Sequence, residues 1–212
     1  ALSHGHIEGV MKIVVGLSLS PIGAFIFGFI LMKLFMKLFA RLTLKSRKIF
    51  IMSQYLSISW LGFSHGANDA QKGMAIIAMV LLASGETSSF VVPAWVIVLC
   101  ASAISLGTLF GGWSIIKTLG FGIIKVKTLH SFTDQIGSAL INTLATAIGA
   151  PTSTTQVVTA TLLGIGGAEH PRHVKWNTAA SIVKGWLFNI PSSMALGALY
   201  CMLFLSLFKG LS

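Results

Sequence analysis

Residues Ile13 to Met32 form an uninterrupted run of 20 uncharged residues, about the length a helix needs to cross a hydrocarbon core of roughly 30 Å. Such a run is incompatible with a water-soluble globule, and the composition agrees. Of the 212 residues, 54% are hydrophobic and 9% are charged, where a soluble domain carries roughly a quarter charged. The net charge is +10 at a mean hydropathy of +0.85. Lysines and arginines therefore belong at the edges of apolar segments, which makes the lipid bilayer the expected partner and excludes nucleic acid. Cys100 and Cys201 lie in apolar runs without a CxxC or a nearby histidine, so no metal site is expected. His4 and His6 read as solvated tail. The first apolar run is too long for a signal-peptide core and no cleavage pattern follows it, so the hydrophobic segments read as mature protein.

Charge placement orders the crossings. Lys33, Lys37, Arg41, Lys45, Arg47 and Lys48 follow the first run with no acid among them, which marks a cytoplasmic loop and puts the N-terminus outside. Ile49 to Ser84 is long for one crossing and short for two. Gly66 and Gly73 bracket its polar middle, and the expectation is a discontinuous or strongly tilted helix broken there. The loop from Gly85 to Val92 has Glu86 and no base, which suits the outer side. Pro93 to Ile116 returns inward, with Gly107 and Gly111 spaced for close helix packing. Lys117, Lys125 and Lys127 mark the inside again. Residues 132–166 form two arms around Gly149-Ala150-Pro151. Counted as Phe132–Ala147 and Thr152–Gly166, the arms reach only ~24 and ~22 Å, and basic residues flank both ends, which is the pattern of a re-entrant hairpin. Trp176 to Phe208, with a kink expected at Pro191, makes the last pass and leaves the C-terminus outside. The expected fold is an all-α polytopic membrane protein with about four transmembrane helices, one or more broken, plus the hairpin. Its domains are 1–48 (outer N-terminus, first helix, basic loop) and 49–212 (discontinuous helix, hairpin, final pass). No internal repeat is present.

An acid inside an apolar segment costs several kcal/mol and marks a functional site. Asp69 is such an acid, and its plain alternative is an ion pair with Lys72 one turn on. Asn68 and Asp69 after a glycine break would cap a half-helix starting at Ala70, aiming free N–H groups at the membrane interior. In Pro151-Thr152-Ser153-Thr154-Thr155-Gln156, proline suits a first helical turn and the hydroxyls would cap it, giving an anion site at a helix N-terminus. Gln135, Ser138, Asn142 and Thr146 share a helix face that must meet protein or water. Asp134 has either a structural or a functional role, and Lys184 either snorkels or pairs internally. Without a catalytic triad, an HExxH or a Walker motif, the chain is not read as an enzyme. A secondary transporter fits better.

Three motifs carry a resemblance: Ser64-His65-Gly66-Ala67-Asn68-Asp69-Ala70-Gln71-Lys72, Gly111-Gly112-Trp113 with Ile116-Lys117-Thr118, and Pro151-Thr152-Ser153-Thr154-Thr155. Together they make the chain similar to the inorganic phosphate transporter family, specifically the C-terminal of its two inverted repeats. Leu17–Pro21 resembles the stretch that precedes that repeat. The resemblance implies symport of phosphate with sodium or protons, without a cofactor. It implies phosphate binding by Asp69, Asn68, Gln71, Ser153, Thr154 and Thr155, and cation binding by Asn68, Asp69, Thr152 and Ser153. Gln135, Asn142 and Gln156 are secondary candidates. The family commonly has histidine where Gln156 stands and often a glutamate where this chain reads Asp134-Gln135. Lacking that histidine, and with oxygen donors at Asn68 and Asp69, the chain is expected to favour sodium over protons. It holds one copy of each motif, so its expected partner is the other repeat, from the same gene or a separate subunit, with a homo-oligomer also open. Other readings are transport of another tetrahedral oxyanion such as sulfate, or a non-transporting membrane scaffold subunit. The expected location is the plasma membrane, the inner membrane in a bacterium, with both chain ends outside.

Overall fold

The computed structural model describes residues 7–40, 47–150 and 152–208, so His4, His6, Arg41, Lys45 and Pro151 lie outside the described residues. Among the described residues six helices follow in order: α1 (Ile7–Leu38), α2 (Arg47–Ala83), α3 (Ala94–Gly122), α4 (Thr128–Ala147), α5 (Thr154–Glu169) and α6 (Trp176–Phe208), with a 3-10 turn at Pro171–His173. Three of them have stretches long and apolar enough to cross a membrane: Gly16–Leu38, Ala94–Trp113 and Trp176–Ser206. The chain is thus an all-helical polytopic membrane protein. It divides into two units, Ala1–Val174 and Lys175–Ser212. The second holds α6, which carries Pro191 in its interior and exposes Leu187, Phe188, Met194 and Tyr200. Lys184 is exposed there too.

Two glycines set the turns of the first unit. Gly85, at φ +78°, closes α2: its N–H bonds Leu82 O at 3.2 Å while the Glu86 N–H reaches Leu81 O at 3.1 Å. Gly149, at φ +67°, ends α4 identically, with its own N–H on Thr146 O and the Ala150 N–H on Ala145 O. This is the Schellman closure, whose left-handed residue favours glycine. It makes α4 and α5 the two arms of a hairpin with its tip at residues 148–153. The first arm begins at Thr128 rather than Phe132, so its 20 residues span ~30 Å. Only α5, at 16 residues or ~24 Å, is short as the sequence count anticipates.

The α1–α5 contact is the tightest in the unit. A Cβ added to Gly164 would lie 2.1 Å from Phe25 O, and one added to Gly28 would lie 2.5 Å from Thr161 O. The two backbones therefore approach to a distance only glycine allows, as small residues permit between membrane helices. Gly137 of α4 faces the same level, against Thr161, Leu31 and Phe27. Above and below this seam, Ala24 packs with Val157, Ala160 and Ile141, and Met32 packs with Ile165, Ala168 and Leu129. These pairings make α1 and α5 parallel and α4 antiparallel to both. The close-packing role expected of Gly107 and Gly111 is not found among the described residues: a Cβ added to either would meet nothing of another element within 4 Å. The reason is that α3 leans on α2 through Val96 and Cys100, against Ala70 and Met74, leaving its glycine end uncovered by the described residues.

At the open end of the hairpin, Glu169 joins the two arms. Its carboxylate accepts from Lys127 Nζ at 2.8 Å and pairs with His130 Nε2 at 2.5 Å. The Lys127 N–H donates to His130 Nδ1 at 3.2 Å, so Nε2 carries the proton in the neutral ring. Burial alone would raise the Glu169 pKa, but these two hydrogen bonds hold it below the usual carboxylate range. A closed set of rings, Phe35, Phe39, Phe50 and Phe132, with centroids 4.9 to 5.8 Å apart, ties the ends of α1 and α2 to the start of α4.

The glycine seam makes a direct expectation. Gly164→Ala should cost about 1–3 kcal/mol, because backbone cannot yield as a side chain does. Gly23→Ala, with nothing within 4 Å, should be neutral or slightly stabilising. Thermal unfolding of the purified protein in detergent, comparing the two variants, is the measurement.

Candidate functional site

The expected break in the second pass is absent. α2 runs unbroken from Arg47 to Ala83, and neither Gly66 nor Gly73 has a positive φ. An isolated glycine costs a helix interior only about 1 kcal/mol, which tertiary contacts readily offset. Asn68 and Asp69 therefore cap nothing, and no free N–H groups begin at Ala70. What the motif supplies instead is a row of side chains along one continuous helix.

That row holds the hairpin tip. Asn68 is buried, and its Nδ2 donates to Thr152 O at 3.1 Å, Thr152 Oγ1 at 3.3 Å and Thr154 Oγ1 at 3.1 Å. One turn on, Lys72 Nζ donates to Thr152 O at 2.8 Å and to Asp69 Oδ1 at 2.7 Å. Asp69 Oδ2 lies 3.2 Å from His65 Nε2. The ion pair with Lys72 is thus real, yet it is not self-contained, because the same ammonium grips the tip. The sequence reading left Lys72 and His65 out of the site; their spacing of three and four residues from Asp69 was the available signal.

On the tip side, Ser153 is the N-cap residue of α5, with an extended backbone and no side-chain capping bond. The expected hydroxyl cap is therefore not made, and α5 starts at Thr154, beyond the proline position. Val157 is the first residue whose N–H closes a helical bond, onto Ser153 O at 3.0 Å, so the amides of Thr154, Thr155 and Gln156 have no acceptor within the helix. Thr154 is buried and committed to Asn68, Ser153 is half-buried and Thr155 is exposed.

The remaining candidates separate. Gln71 is exposed, and no hydrogen bond joins it to the tip. Gln135 accepts a 2.6 Å hydrogen bond from Ser57 of α2, which makes it an interhelical tie toward the base. Ser138 and Asn142 are fully buried at 0% exposure, so the polar stripe of α4 does meet protein. Asp134 is buried on the same stripe and accepts from Ser138 Oγ at 3.4 Å. The Oε1 of Gln156 is buried without a partner. Among the described residues no group of His, Cys, Asp and Glu could hold a metal ion.

The clamp on the tip is testable by itself. Asn68→Asp keeps the size but swaps donors for acceptors that face the Thr152 carbonyl. A loss of about 1–3 kcal/mol is expected, visible as a lowered melting temperature.

Comparison with known proteins gives the sequence its relatives. The profile of the family described as "Phosphate transporter family" matches residues 41–197. The chain is 39% identical over 194 residues to the "Probable low-affinity inorganic phosphate transporter" of Bacillus subtilis, covering 91% of this chain and 58% of that protein. A protein of the same description from Rhizobium meliloti is 37% identical with the same coverage. The "Phosphate-repressible phosphate permease" of Neurospora crassa is 30% identical over 153 residues, 69% of this chain and 26% of the relative. The chain thus spans a little over half the length of the Bacillus and Rhizobium proteins. No solved structure matches it. These relatives are named as transporters and permeases, and the chain is not an enzyme. The match of its two motif-bearing segments, α2 and the hairpin tip, to that profile means that this chain belongs to the phosphate transporter family.

Proposed function

We propose that the chain is the C-terminal half of a secondary transporter for inorganic phosphate, driven by a cation gradient with sodium favoured over protons. The observation that carries this reading is the meeting of Asn68, Asp69 and Lys72 on α2 with the tip of the hairpin at Thr152–Thr155. The unbonded amides that open α5 and the hydroxyls of Ser153 and Thr155 suit an oxyanion, and the Lys72 ammonium adds positive charge beside them. Thr154 positions the tip through its bond from Asn68. Gln71 is the least supported member of the phosphate set, being exposed. The oxygens of Asp69, Asn68, Thr152 and Ser153 suit sodium, which needs no titrating group. Gln135, Asn142 and Gln156 stand behind this site.

The hairpin is proposed as re-entrant, its Lys127–Glu169 base on the cytoplasmic side and both chain ends outside. The single copy of each motif and the partial coverage of the relatives favour a second repeat packed against this one across a pseudo-two-fold axis in the membrane plane. The plasma membrane is the proposed location.

Proton count gives the substrate test. Near neutral pH, phosphate keeps a proton to donate to Asp69, whereas sulfate has none and is repelled. The expectation is that Asp69→Asn abolishes phosphate uptake into vesicles carrying the full gene product, and that sulfate competes weakly, by up to ~10⁴-fold. Equal competition by sulfate would favour a general oxyanion carrier. No uptake of either ion would favour the scaffold reading.

Ser153→Ala removes a hydrogen bond to a charged ligand, worth roughly 1.5–3 kcal/mol. Phosphate affinity should therefore fall about tenfold or more. Uptake should also stop in sodium-free buffer; uptake that persists there but collapses with the proton gradient would assign protons as the coupling ion.

A further inference from the structure

The Lys72 ammonium lies between two oxygens from different parts of the chain. Its Nζ is 2.7 Å from Asp69 Oδ1, one turn back on α2, and 2.8 Å from the main-chain Thr152 O at the hairpin tip. The second carboxylate oxygen, Asp69 Oδ2, is 3.2 Å from His65 Nε2, and Thr152 O takes a further 3.1 Å hydrogen bond from Asn68. A carboxylate oxygen and a non-helical backbone carbonyl converging on one point are what a sodium ion seeks at membrane depth. Asp69 and Thr152 both supply oxygens to the proposed sodium set, so sodium and Lys72 Nζ claim the same place. They exclude each other, because two like charges that close repel strongly away from bulk water.

The ammonium also has somewhere else to go. The Lys72 side chain is 45% exposed, so its flexible stem swings without disturbing packed neighbours, and Ser153, whose hydroxyl belongs to the proposed phosphate set, directly follows the residue it grips. Resting on the phosphate and sodium reading above, we propose that Lys72 is a tethered cation, which occupies the sodium seat between Asp69 and Thr152 until phosphate draws the ammonium to itself and clears that seat. In the empty protein the ammonium spares Asp69 from standing as an unpaired acid in an apolar segment. With phosphate bound, Lys72 pairs with the oxyanion and sodium takes its place on Asp69 Oδ1 and Thr152 O, so the tip stays held. Sodium alone must expel the ammonium with no anion to receive it and binds weakly. Each ligand therefore raises the affinity for the other, as linkage requires.

Thermal stabilisation of the full gene product in detergent, titrated with sodium chloride against choline chloride at constant ionic strength, reads sodium affinity without reference to transport. In the wild type, saturating inorganic phosphate should lower the half-maximal sodium concentration at least about tenfold. Lys72→Met keeps a stem of similar length without the charge. In phosphate-free buffer it should bind sodium at least about tenfold more tightly than the wild type does, and phosphate should then change that affinity less than about twofold. In Lys72→Ala, added ethylammonium should compete with sodium, whereas tetramethylammonium, with no N–H to donate, should not; a lost packing contact would give no such competition. Wild-type sodium affinity left unchanged by phosphate would overturn the proposal whether or not the variants fold, and so would a methionine variant that binds sodium no more tightly than the wild type. Sodium without any effect on the wild type at saturating phosphate would refute the sodium reading itself, and the tether with it.

Discussion

Two side chains of α2 hold the stretch of the hairpin where, among the described residues, the backbone leaves helical form. Away from bulk water, a carbonyl or amide without a partner is costly, and non-helical backbone survives at depth only where protein or a wet cavity receives it. The Thr152 carbonyl answers to both Asn68 and Lys72. Asn68, Lys72 and the tip therefore form a single object, and Asp69 takes part through the ammonium that bridges it to Thr152. Remove that arrangement and the hairpin keeps its arms but loses the definition of its tip.

This clamp also explains why α2 has no need to break. A half-helix would offer amide dipoles to a ligand, whereas a continuous helix offers side chains at fixed spacing, three and four residues apart on one face. His65, Asp69 and Lys72 use that spacing. The dipole end comes instead from α5, whose opening amides lie next to the same residues. One helix contributes charge and the other contributes oriented backbone.

Much of this was legible in the amino-acid order. Apolar runs and basic loops located every helix, and Gly149 marked the hairpin turn because its left-handed backbone needs a residue without Cβ. The spacing of the two motifs pointed to the tip and to Asp69. Three things were not legible. Glycine in a helix reads as a break unless the packing that steadies it is known, so Gly66 and Gly73 misled. The tertiary reach of Lys72 to Thr152 spans 80 residues and leaves no local pattern. The close-packing glycines proved to be Gly28 and Gly164, which lack a visible spacing motif because their partners lie on different helices, while the well-spaced Gly107 and Gly111 meet no other helix among the described residues.

The parallel pairing of α1 with α5 has a consequence for where the fold begins. The match to the family profile starts at residue 41, after α1 has ended at Leu38, although the match to the bacterial relatives covers 91% of the chain and so takes in most of α1. α1 fills the groove that Gly164 and Thr161 open in α5, and among the described residues no other element reaches the backbone so closely there. The boundary of the family profile and the boundary of the folding unit therefore differ by a whole helix. A chain cut at the first would be born with a backbone-deep slot along its hairpin, open to whatever helix arrives first.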